Sequence, residues 1–479
     1  MNKSIPGPKV AILDSDYTTT LAQTNPQFID KYLTVLRQEP RLDELISNFE
    51  ISEFQAVKSS ISKWIPIFNR RSPAWYQYDL VQDLISLQVI AWAKKMRDEG
   101  AAIALFETAA SHHFNTIAFE LACDLIGLDK VFLTHTAFTN RLVPIHQNGS
   151  YANRNRLNGF HNEYCLPLDL FDTNSTTWKK RTSLQNSFEK SSLLFYFIII
   201  SKFFKVKVAK NIEKRLSLRN STTWDDWIEQ RFGYGLLDEI KLHRLHKKAI
   251  KTIRKRESED EPKLRKFIEE KQFLDSSPIF LIYASFQPEA SSFPLGDYFA
   301  SHRQIVMAIK KKYPRSRIIY HEHPHIERWR LKSSGSRVSL YRSPEYFDFL
   351  ADLGCLFANN NLTKDLESTA ERNVVVVTIG GNIAIERAMK GLPTIVAGNP
   401  WYKSLPGTMT LLDFLGDDSG KPIDLVEEKV VRQWIIDFHL NNTLSQPPWS
   451  YAGFHGSNST YYKDLTTLID YLMQSNAQV

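Results

Sequence analysis

Three stretches of this chain share one pattern, an apolar β-branched run that stops abruptly at polar or glycine-rich residues. They are Ile279–Glu289 (IFLIYASFQPE), Ile318–His325 (IIYHEHPH) and Val374–Tyr402, which opens VVVVTIGGN. A buried parallel strand that ends at a ligand crevice has this appearance in sequence. Because the three ends follow one another closely, we expect a parallel α/β sheet with a binding site at the carboxyl ends of its strands.

The first third of the chain predicts a similar β-α-β alternation. Strands are expected at Lys9–Leu13 and Ala101–Phe106, and another apolar run begins at Lys130. Helical spacing is clearest over Tyr78–Lys95 and Phe114–Ile126. With 479 residues and this repeated alternation, the chain is expected to form more than one α/β domain.

The middle of the chain, from Thr173 to about Asp275, is rich in Lys, Arg and aromatic residues and predicts a helical insert. Its apolar run Leu193–Ile200 is far below the roughly 20 residues that a spanning helix needs. That segment is either an interfacial helix or, slightly favoured, a core helix with a basic end. The basic run Lys241–Arg256 fits a polyanion or a solvated helix face, and acidic Glu257–Glu261 predicts a surface linker.

Charge and cysteine content indicate the environment. A net charge of +7 and a pI near 9.0 favour anionic partners such as nucleotides, acidic glycans or an anionic membrane surface. Nucleic acid is not among the expected partners. The start of the chain lacks the apolar region of a signal peptide, and Cys123, Cys165 and Cys355 are few and widely spaced. We therefore expect a cytoplasmic protein, with contact to the inner face of the membrane as an option.

The glycine loop after the four valines has the composition of a phosphate cradle. Gly380 and Gly381 allow close approach of the backbone to a ligand, and Asn382 suits the N-cap of the next helix. Free N–H groups would then face the ligand, and Glu386 would accept from ribose hydroxyls. The alternative is a tight βα turn with Glu386 solvated.

The segment His-Glu-His-Pro raises both metal binding and acid catalysis. His321, His323 and His325 would share one face of a continued strand, which suggests a metal site. Pro324 argues against it, because a proline ends the strand and places His323 at the loop mouth. There His323 would act as a general acid or donate to a departing phosphate, unless backbone carbonyls satisfy it.

The first strand ends similarly, at Gln287, Pro288 and Glu289. These residues supply an amide that can orient a ligand, a proline that fixes a turn, and a carboxylate that can cap a helix beginning near Gly296. All three are therefore candidates for binding the donor.

Together the three segments resemble the capsular-polysaccharide synthesis family that includes bacterial β-Kdo glycosyltransferases. The resemblance covers roughly Pro278 to Gly407 and rests on QPEASSFPLG, HEHP and GGNIAIERAMKGLPTIVAGNPWY. It implies a metal-independent enzyme whose C-terminal domain holds the nucleotide, usually CMP. Gln287 and Pro288 would then face the donor, His323 and Pro324 the nucleotide phosphate, and Glu386 the ribose.

The resemblance also implies the fold class, an α/β, GT-B-like protein with two Rossmann-type domains facing a cleft. On this interpretation residues 1–172 form the acceptor-side domain and 173–275 a helical insert or linker. Residues 276–455 form the nucleotide-sugar domain and 456–479 a C-terminal packing helix, for which Tyr461–Met473 is amphipathic.

The chain departs from the family in the first domain, where the acidic Glu-Asp-Gly motif is absent and Thr134-His135-Thr136 follows the strand instead. A base or nucleophile for the acceptor must come from elsewhere. The candidates are Glu107, just past the strand Ala101–Phe106, then His135, then Asp14 or Asp16.

Three other functions fit parts of the sequence. Asp14-Ser-Asp16 matches the Asp-x-Asp of haloacid-dehalogenase-type phosphatases, or that of metal-dependent glycosyltransferases. A catalytically degenerate transferase fold that binds acidic glycan through the basic insert is the third. The preferred prediction is transfer of Kdo or a related acidic sugar from a CMP-linked donor to a glycan or glycolipid acceptor, with no cofactor and no metal.

Overall fold

The protein is described by a computed structural model, and it contains two six-stranded sheets with helices packed against them. The described residues are 9–13, 27, 30–31, 33–36, 51–61, 78–106, 114–135, 141–146, 236–270, 278–285, 299, 301–327, 342–369, 374–417, 423, 426–442, 444–445 and 465–473. Both sheets are mostly parallel, so the chain has a mixed α/β fold, as the sequence predicts.

The first sheet has the strand order β12-β5-β4-β3-β1-β2. Its strands are β1 (Lys9–Leu13), β2 (Leu33–Leu36), β3 (Ala101–Phe106), β4 (Asp129–His135), β5 (Arg141–His146) and β12 (Leu444–Ser445). Strands β1 to β4 run parallel, and β5 is antiparallel to both of its neighbours. The strand predictions Lys9–Leu13 and Ala101–Phe106 are confirmed.

Side-chain alternation along β3 explains why helices cover both faces of this sheet. Ala104 and Phe106 pack against α1 (Ile51–Ile61), α2 (Tyr78–Asp98) and α3 (Phe114–Ile126). Ile103 and Leu105 point to the opposite face, where they meet a helix at 465–473, here α11. Successive strand residues project to opposite faces, so a strand that is apolar throughout requires cover on both sides.

The second sheet is entirely parallel, in the order β11-β10-β9-β6-β7-β8. Its strands are β6 (Ile279–Tyr283), β7 (Arg317–His321), β8 (Cys355–Phe357), β9 (Val374–Thr378), β10 (Thr394–Val396) and β11 (Thr408–Thr410). Its helices are α4 (Leu236–Glu269), α5 (His302–Lys312), α6 (Pro344–Asp352), α7 (Asn360–Thr369), α8 (Ile383–Met389), α9 (Leu411–Gly416) and α10 (Glu428–Asn442). Phe280 and Ile282 pack towards α5 and α6, whereas Ile279 and Leu281 pack towards α7.

Helix α4 corrects the interpretation of the acidic segment Glu257–Glu261, which lies within the helix and is not a linker. The helix continues because it has apolar partners on both sides of the segment. Ala249 and Ile253 join one core of the second sheet, and Leu264 and Phe267 join the other. Tertiary packing therefore outweighs the local charge composition.

The two sheets share one apolar cluster. Val143 and Ile145 of β5 pack with residues of α8 and α10, including Ala384 and Ile435. After α10, β12 pairs with β5, and the last described helix, α11, packs on the first sheet. The last part of the chain thus returns from the second sheet to the first.

Candidate functional site

The three strand ends singled out in the sequence lie side by side in the second sheet. Tyr283, the last residue of β6, pairs with His321 of β7 on one side and with Thr378 of β9 on the other. Strand order reverses here, since the chain runs outward through β7 and β8 and then returns to the other side of β6 at β9. The carboxyl ends of strands at such a reversal form the usual ligand crevice of an open α/β sheet.

His323 lies just beyond β7, half-buried, and its backbone is held by the residue before it. The Glu322 carboxylate accepts from the His323 backbone N–H at 2.8 Å through Oε1. The His323 carbonyl in turn accepts from Ile326 N–H at 2.9 Å, in the short 3₁₀ helix Pro324–Glu327. Pro324 therefore ends the strand, as predicted, and starts a turn that fixes the His323 backbone on both sides.

Behind His323 lies a buried ion pair. Arg342 donates from Nε to Glu322 Oε2 at 2.7 Å, and the Tyr320 hydroxyl donates to the same oxygen at 2.9 Å. The side chains of Arg342 and Glu322 are only 1% and 4% exposed. Arg342 also lies over the Tyr346 ring, 4.8 Å from its centroid. A charge buried this deeply is tolerated only when its hydrogen-bonding groups are satisfied.

The same arginine reaches the end of β6. Its Nη2 donates to the Ser285 carbonyl at 3.1 Å, and Ser285 N–H donates to His302 Nε2 at 2.9 Å. The hydroxyl of Ser285 is buried and has no hydrogen-bond partner within the described part of the chain.

Electrostatics fix the charge states of this network. Burial, then the Arg342 cation and a smaller electrostatic contribution from His323, lower the pKa of His302 well below its usual value, so its ring is neutral at pH 7. Burial alone lowers the pKa of Arg342, but the Glu322 carboxylate outweighs that effect and the net shift is upward. Burial and the neighbouring cation thus keep the His302 ring neutral.

His321 is held by contacts inside the protein. Its Nδ1 lies 3.1 Å from the Ala358 carbonyl and 3.2 Å from Thr363 Oγ1, and its ring meets Tyr283 edge-on. Burial lowers its pKa. The strand ends at His321, so the alternation that would align it with His323 and His325 does not continue. Within the described residues, no group of three or more His, Cys, Asp or Glu is placed to hold a metal ion.

The glycine loop after β9 is a tight turn around Thr378. Gly381 N–H donates to Thr378 Oγ1 at 3.1 Å, and the Gly381 carbonyl accepts from the Tyr402 hydroxyl at 2.6 Å. A Cβ on Gly381 would lie 2.8 Å from Thr378 Oγ1. Gly381 is therefore required by the turn itself. Its N–H, expected to be free for a phosphate, is already bonded within the turn.

Asn382 precedes α8 at the N-cap position, but the expectation that its side chain caps the helix is wrong. Its φ and ψ are already helical (−60° and −18°), and its side chain makes no capping hydrogen bond. The side chain of an N-cap residue can reach the N–H groups of the first turn only from an extended backbone. The Asn382 side chain is consequently exposed beside Gly380 at the crevice.

Glu386 lies one turn into α8 and is exposed as a whole. Desolvation of its carboxyl raises its pKa, Lys390 opposes that shift and Glu367 adds to it. Glu367 accepts from Tyr283 at the end of β6 and from Arg387. Glu386 is therefore on the β6–β9 side of the crevice.

Several predicted site residues fall outside the described residues: Gln287, Pro288, Glu289, Glu107, Asp14, Asp16 and the apolar run Leu193–Ile200. His135 is the last residue of β4 in the first sheet, where it pairs with Leu142. The structure thus places His135 on the first sheet. At the carboxyl ends of the inner strands of the second sheet it brings together His323, Pro324, Gly380, Gly381, Asn382 and Glu386.

Sequence reasoning missed the residues behind His323, which are Ser285, His302, Glu322 and Arg342. Glu322 carried a usable signal, because it stands within the His-Glu-His-Pro motif. Arg342 carried none, since arginine is rarely buried and its partner is twenty residues away in the chain.

Among the described helices, none combines the length and apolar character needed to cross a bilayer.

Comparison with known proteins yields no family model and no curated protein that matches the chain. Among solved structures, the β-Kdo 2,7 transferase KpsC of Thermosulfurimonas dismutans is similar, with 15% identity and a TM-score of 0.23 over 43% of this chain. The matched part spans 60% of the length of that transferase.

Two further solved structures are similar along nearly the whole chain. The UDP-GlcNAc 2-epimerase of Neisseria meningitidis bound to UDP-GlcNAc has 11% identity and a TM-score of 0.18, covering 97% of this chain and all of that one. The S. aureus MnaA–UDP structure has 10% identity and a TM-score of 0.18, covering 98% and 97%. Similarities with TM-scores this low support no conclusion about activity. A functional proposal rests instead on the arrangement of the strand ends in the second sheet.

Proposed function

We propose that the chain is a GT-B-like glycosyltransferase of capsular or surface polysaccharide synthesis. Its donor is a nucleotide sugar, CMP-linked Kdo or a related acidic sugar, and its acceptor is a glycan or glycolipid. The observation that carries the proposal is the register of β6, β7 and β9, whose ends are level at the reversal of strand order. This register supports a shared crevice for His323, Gly380 and Gly381.

The crevice has dimensions and groups suited to a sugar-linked phosphate. His323 follows β7 and the Gly380-Gly381 loop follows β9, and these two strands flank β6. Because neighbouring strands are separated by about 4.8 Å, β7 and β9 are about 10 Å apart. A phosphate between them would meet an imidazole on one side and a glycine loop on the other. The overall charge of +7 also favours an anionic donor.

In the proposed reaction the acceptor hydroxyl attacks the anomeric carbon and the nucleotide leaves with the bonding electrons. His323 donates a proton or hydrogen bond to the departing phosphate oxygen, which gains negative charge. Glu386 accepts from the ribose hydroxyls. Glu107, which follows β3 in the sequence, or His135, the last residue of β4, is proposed to take the acceptor proton. No metal is required in this scheme.

Nucleotide binding gives the most direct test. Thermal melting is measured with CMP, UDP, ADP and GDP, and CMP is expected to raise the midpoint most. A free nucleotide concentration of a hundred times Kd raises the free energy of unfolding by about 2.7 kcal/mol. A nucleotide-sugar screen with mass-spectrometric detection of products then identifies the donor. Absence of any nucleotide effect would contradict the proposal.

Two variants test the assigned roles. His323→Ala is expected to lower turnover about a hundredfold or more with an unchanged melting temperature. Glu386→Ala is expected to weaken nucleotide binding, and Glu428→Ala is its control, since Glu428 is also an exposed glutamate in the first turn of a helix. Wild-type turnover in the first variant, or equal affinities in the other two, would refute the corresponding role.

A second function, binding of acidic glycan without catalysis, is favoured by the first half of α4. Five exposed cations on it form no salt bridge with the described residues: Lys241, Arg244, Lys247, Lys248 and Lys251. If acidic polysaccharide shifts melting and no nucleotide does, this function replaces the first. Activity in EDTA would exclude the metal-dependent alternatives based on Asp14 and Asp16.

A further inference from the structure

The contacts of Arg342 and Glu322 differ from those of an ordinary buried ion pair. The two side chains bind each other, and each also binds a backbone group at the end of a strand that lines the crevice. Glu322 accepts from the His323 N–H after β7, and Arg342 donates to the Ser285 carbonyl after β6. The pair therefore ties the two loops together through the interior.

Stability alone does not account for such a pair. Apolar side chains of similar volume stabilise a core as well as a buried ion pair does, or better, because they cost no desolvation. What an ion pair adds is direction, since its charge-assisted hydrogen bonds are short and tolerate little displacement. Here the directed groups are the backbones of His323 and Ser285.

Further bonds restrict the pair itself. Tyr320, on β7, donates to Glu322 Oε2, and the ring of Tyr346, on α6, lies beneath the Arg342 guanidinium. The neutral His302 ring accepts from Ser285 N–H and lies 3.4 Å from Arg342 Nη2. Every member is buried, so the network is shielded from solvent and from changes of salt.

We infer that Glu322 and Arg342 are positioning residues that fix the backbones of His323 and Ser285 at the mouth of the nucleotide-sugar crevice. The inference rests on the proposed function for its catalytic consequence. Its geometric part concerns only the free protein. Misplacement of a catalytic group by about 1 Å can cost on the order of a hundredfold in rate.

Single substitutions leave one buried charge without its partner and are expected to unfold the protein in part. The informative variant is the double substitution Glu322→Gln with Arg342→Met, which leaves no net buried charge and retains the volume. We expect it to fold. The matched control is Glu120→Gln with Lys130→Met, which neutralises an equally buried ion pair of the first sheet.

The geometric part is tested by hydrogen–deuterium exchange of the free protein, read out by mass spectrometry. The peptide covering residues 318–327 should exchange faster in the double variant, while the peptide covering 374–378 stays protected. Glu120→Gln with Lys130→Met should leave the exchange of 318–327 unchanged. Unaltered exchange of 318–327 in a folded double variant would overturn the inference, whatever the protein catalyses.

The catalytic part is tested by a mutant cycle, in which the double substitution is made in the wild type and in His323→Ala. In the wild-type background the double variant should lower kcat by about tenfold to a hundredfold. In the His323→Ala background it should add little, because the pair acts through His323. An equal loss in both backgrounds, or full turnover of the double variant, would refute positioning. If the wild type turns over no nucleotide sugar, the proposed function fails while the exchange result still decides the geometry.

Discussion

Both sheets contain a buried cation with acidic partners, but the two clusters lie at different places along their strands. In the first, Lys130 lies near the start of β4 and binds Asp124 at 2.7 Å and Glu120 at 3.5 Å, both on α3. In the second, Glu322 follows the carboxyl end of β7 and binds Arg342 and backbone. Similar burial thus serves two purposes, attachment of a helix to a strand in one sheet and definition of a crevice in the other.

The largest expected effect is on folding, and it should be similar for the two clusters. Arg342→Met and Lys130→Met each leave a buried carboxylate, Glu322 or Glu120, without its cation, which costs about 3–5 kcal/mol of the free energy of unfolding. Only Arg342→Met should also weaken nucleotide binding per folded molecule. Chemical denaturation and calorimetric titration measure the two quantities. Equal loss of affinity in both variants would remove the distinction between the clusters.

A second expected difference concerns acid. Burial lowers the pKa of His246 to about 4, and also lowers those of His302 and His321, all in the part of the chain that forms the second sheet and α4. The unfolded chain binds protons at these residues near pH 6.5 and the folded chain does not. Stability is therefore complete above pH 6.5 and falls as the pH is lowered towards 4.

For His246 alone, this loss amounts to about 2 kcal/mol at pH 5. Guanidinium unfolding at pH 7, 6 and 5 measures this loss. The free energy of unfolding of His246→Leu should depend less steeply on pH than that of the wild type. Identical slopes would show that His246 is not buried in its neutral form.

Two glycines provide a smaller and more local contrast. Gly381→Ala places a methyl group 2.8 Å from Thr378 Oγ1, so the turn after β9 must open, at a cost of about 1–3 kcal/mol. Nucleotide affinity should fall with it. Gly100→Ala, before β3, has open space but a φ of +72°, which costs about 1–2 kcal/mol and should leave affinity unchanged. Thermal melting with and without CMP distinguishes the two, and a matching loss of affinity in Gly100→Ala would contradict the assignment.

The smallest effect is expected at the edge of the second sheet. Asp260 of α4 accepts from Phe357 N–H of the edge strand β8 at 3.1 Å and binds Lys263 at 2.7 Å. Asp260→Ala should cost about 1–2 kcal/mol, because a buried N–H loses its acceptor. Turnover of folded protein should stay constant, since β8 is not one of the three central strands. A drop in turnover at full folding would extend the crevice towards β8.

Much of the fold was predictable because its signals are local. The helix Phe114–Ile126 has the predicted bounds, and the four valines form most of β9. Apolar periodicity reports directly which side of an element is covered. The linker predicted at Glu257–Glu261 failed because charged residues continue a helix when the turns before and after them are packed, as Ala249 and Leu264 are.

The sequence by itself determined the strands of the crevice, the proline that ends β7 after His321, and the glycine loop that follows β9. Each depends on a few consecutive residues and on backbone preference. Only the tertiary structure decided that β9 returns beside β6, and that Arg342 is buried against Glu322. Strand order and long-range ion pairs depend on free energies summed over the whole core, and no short stretch of sequence contains them.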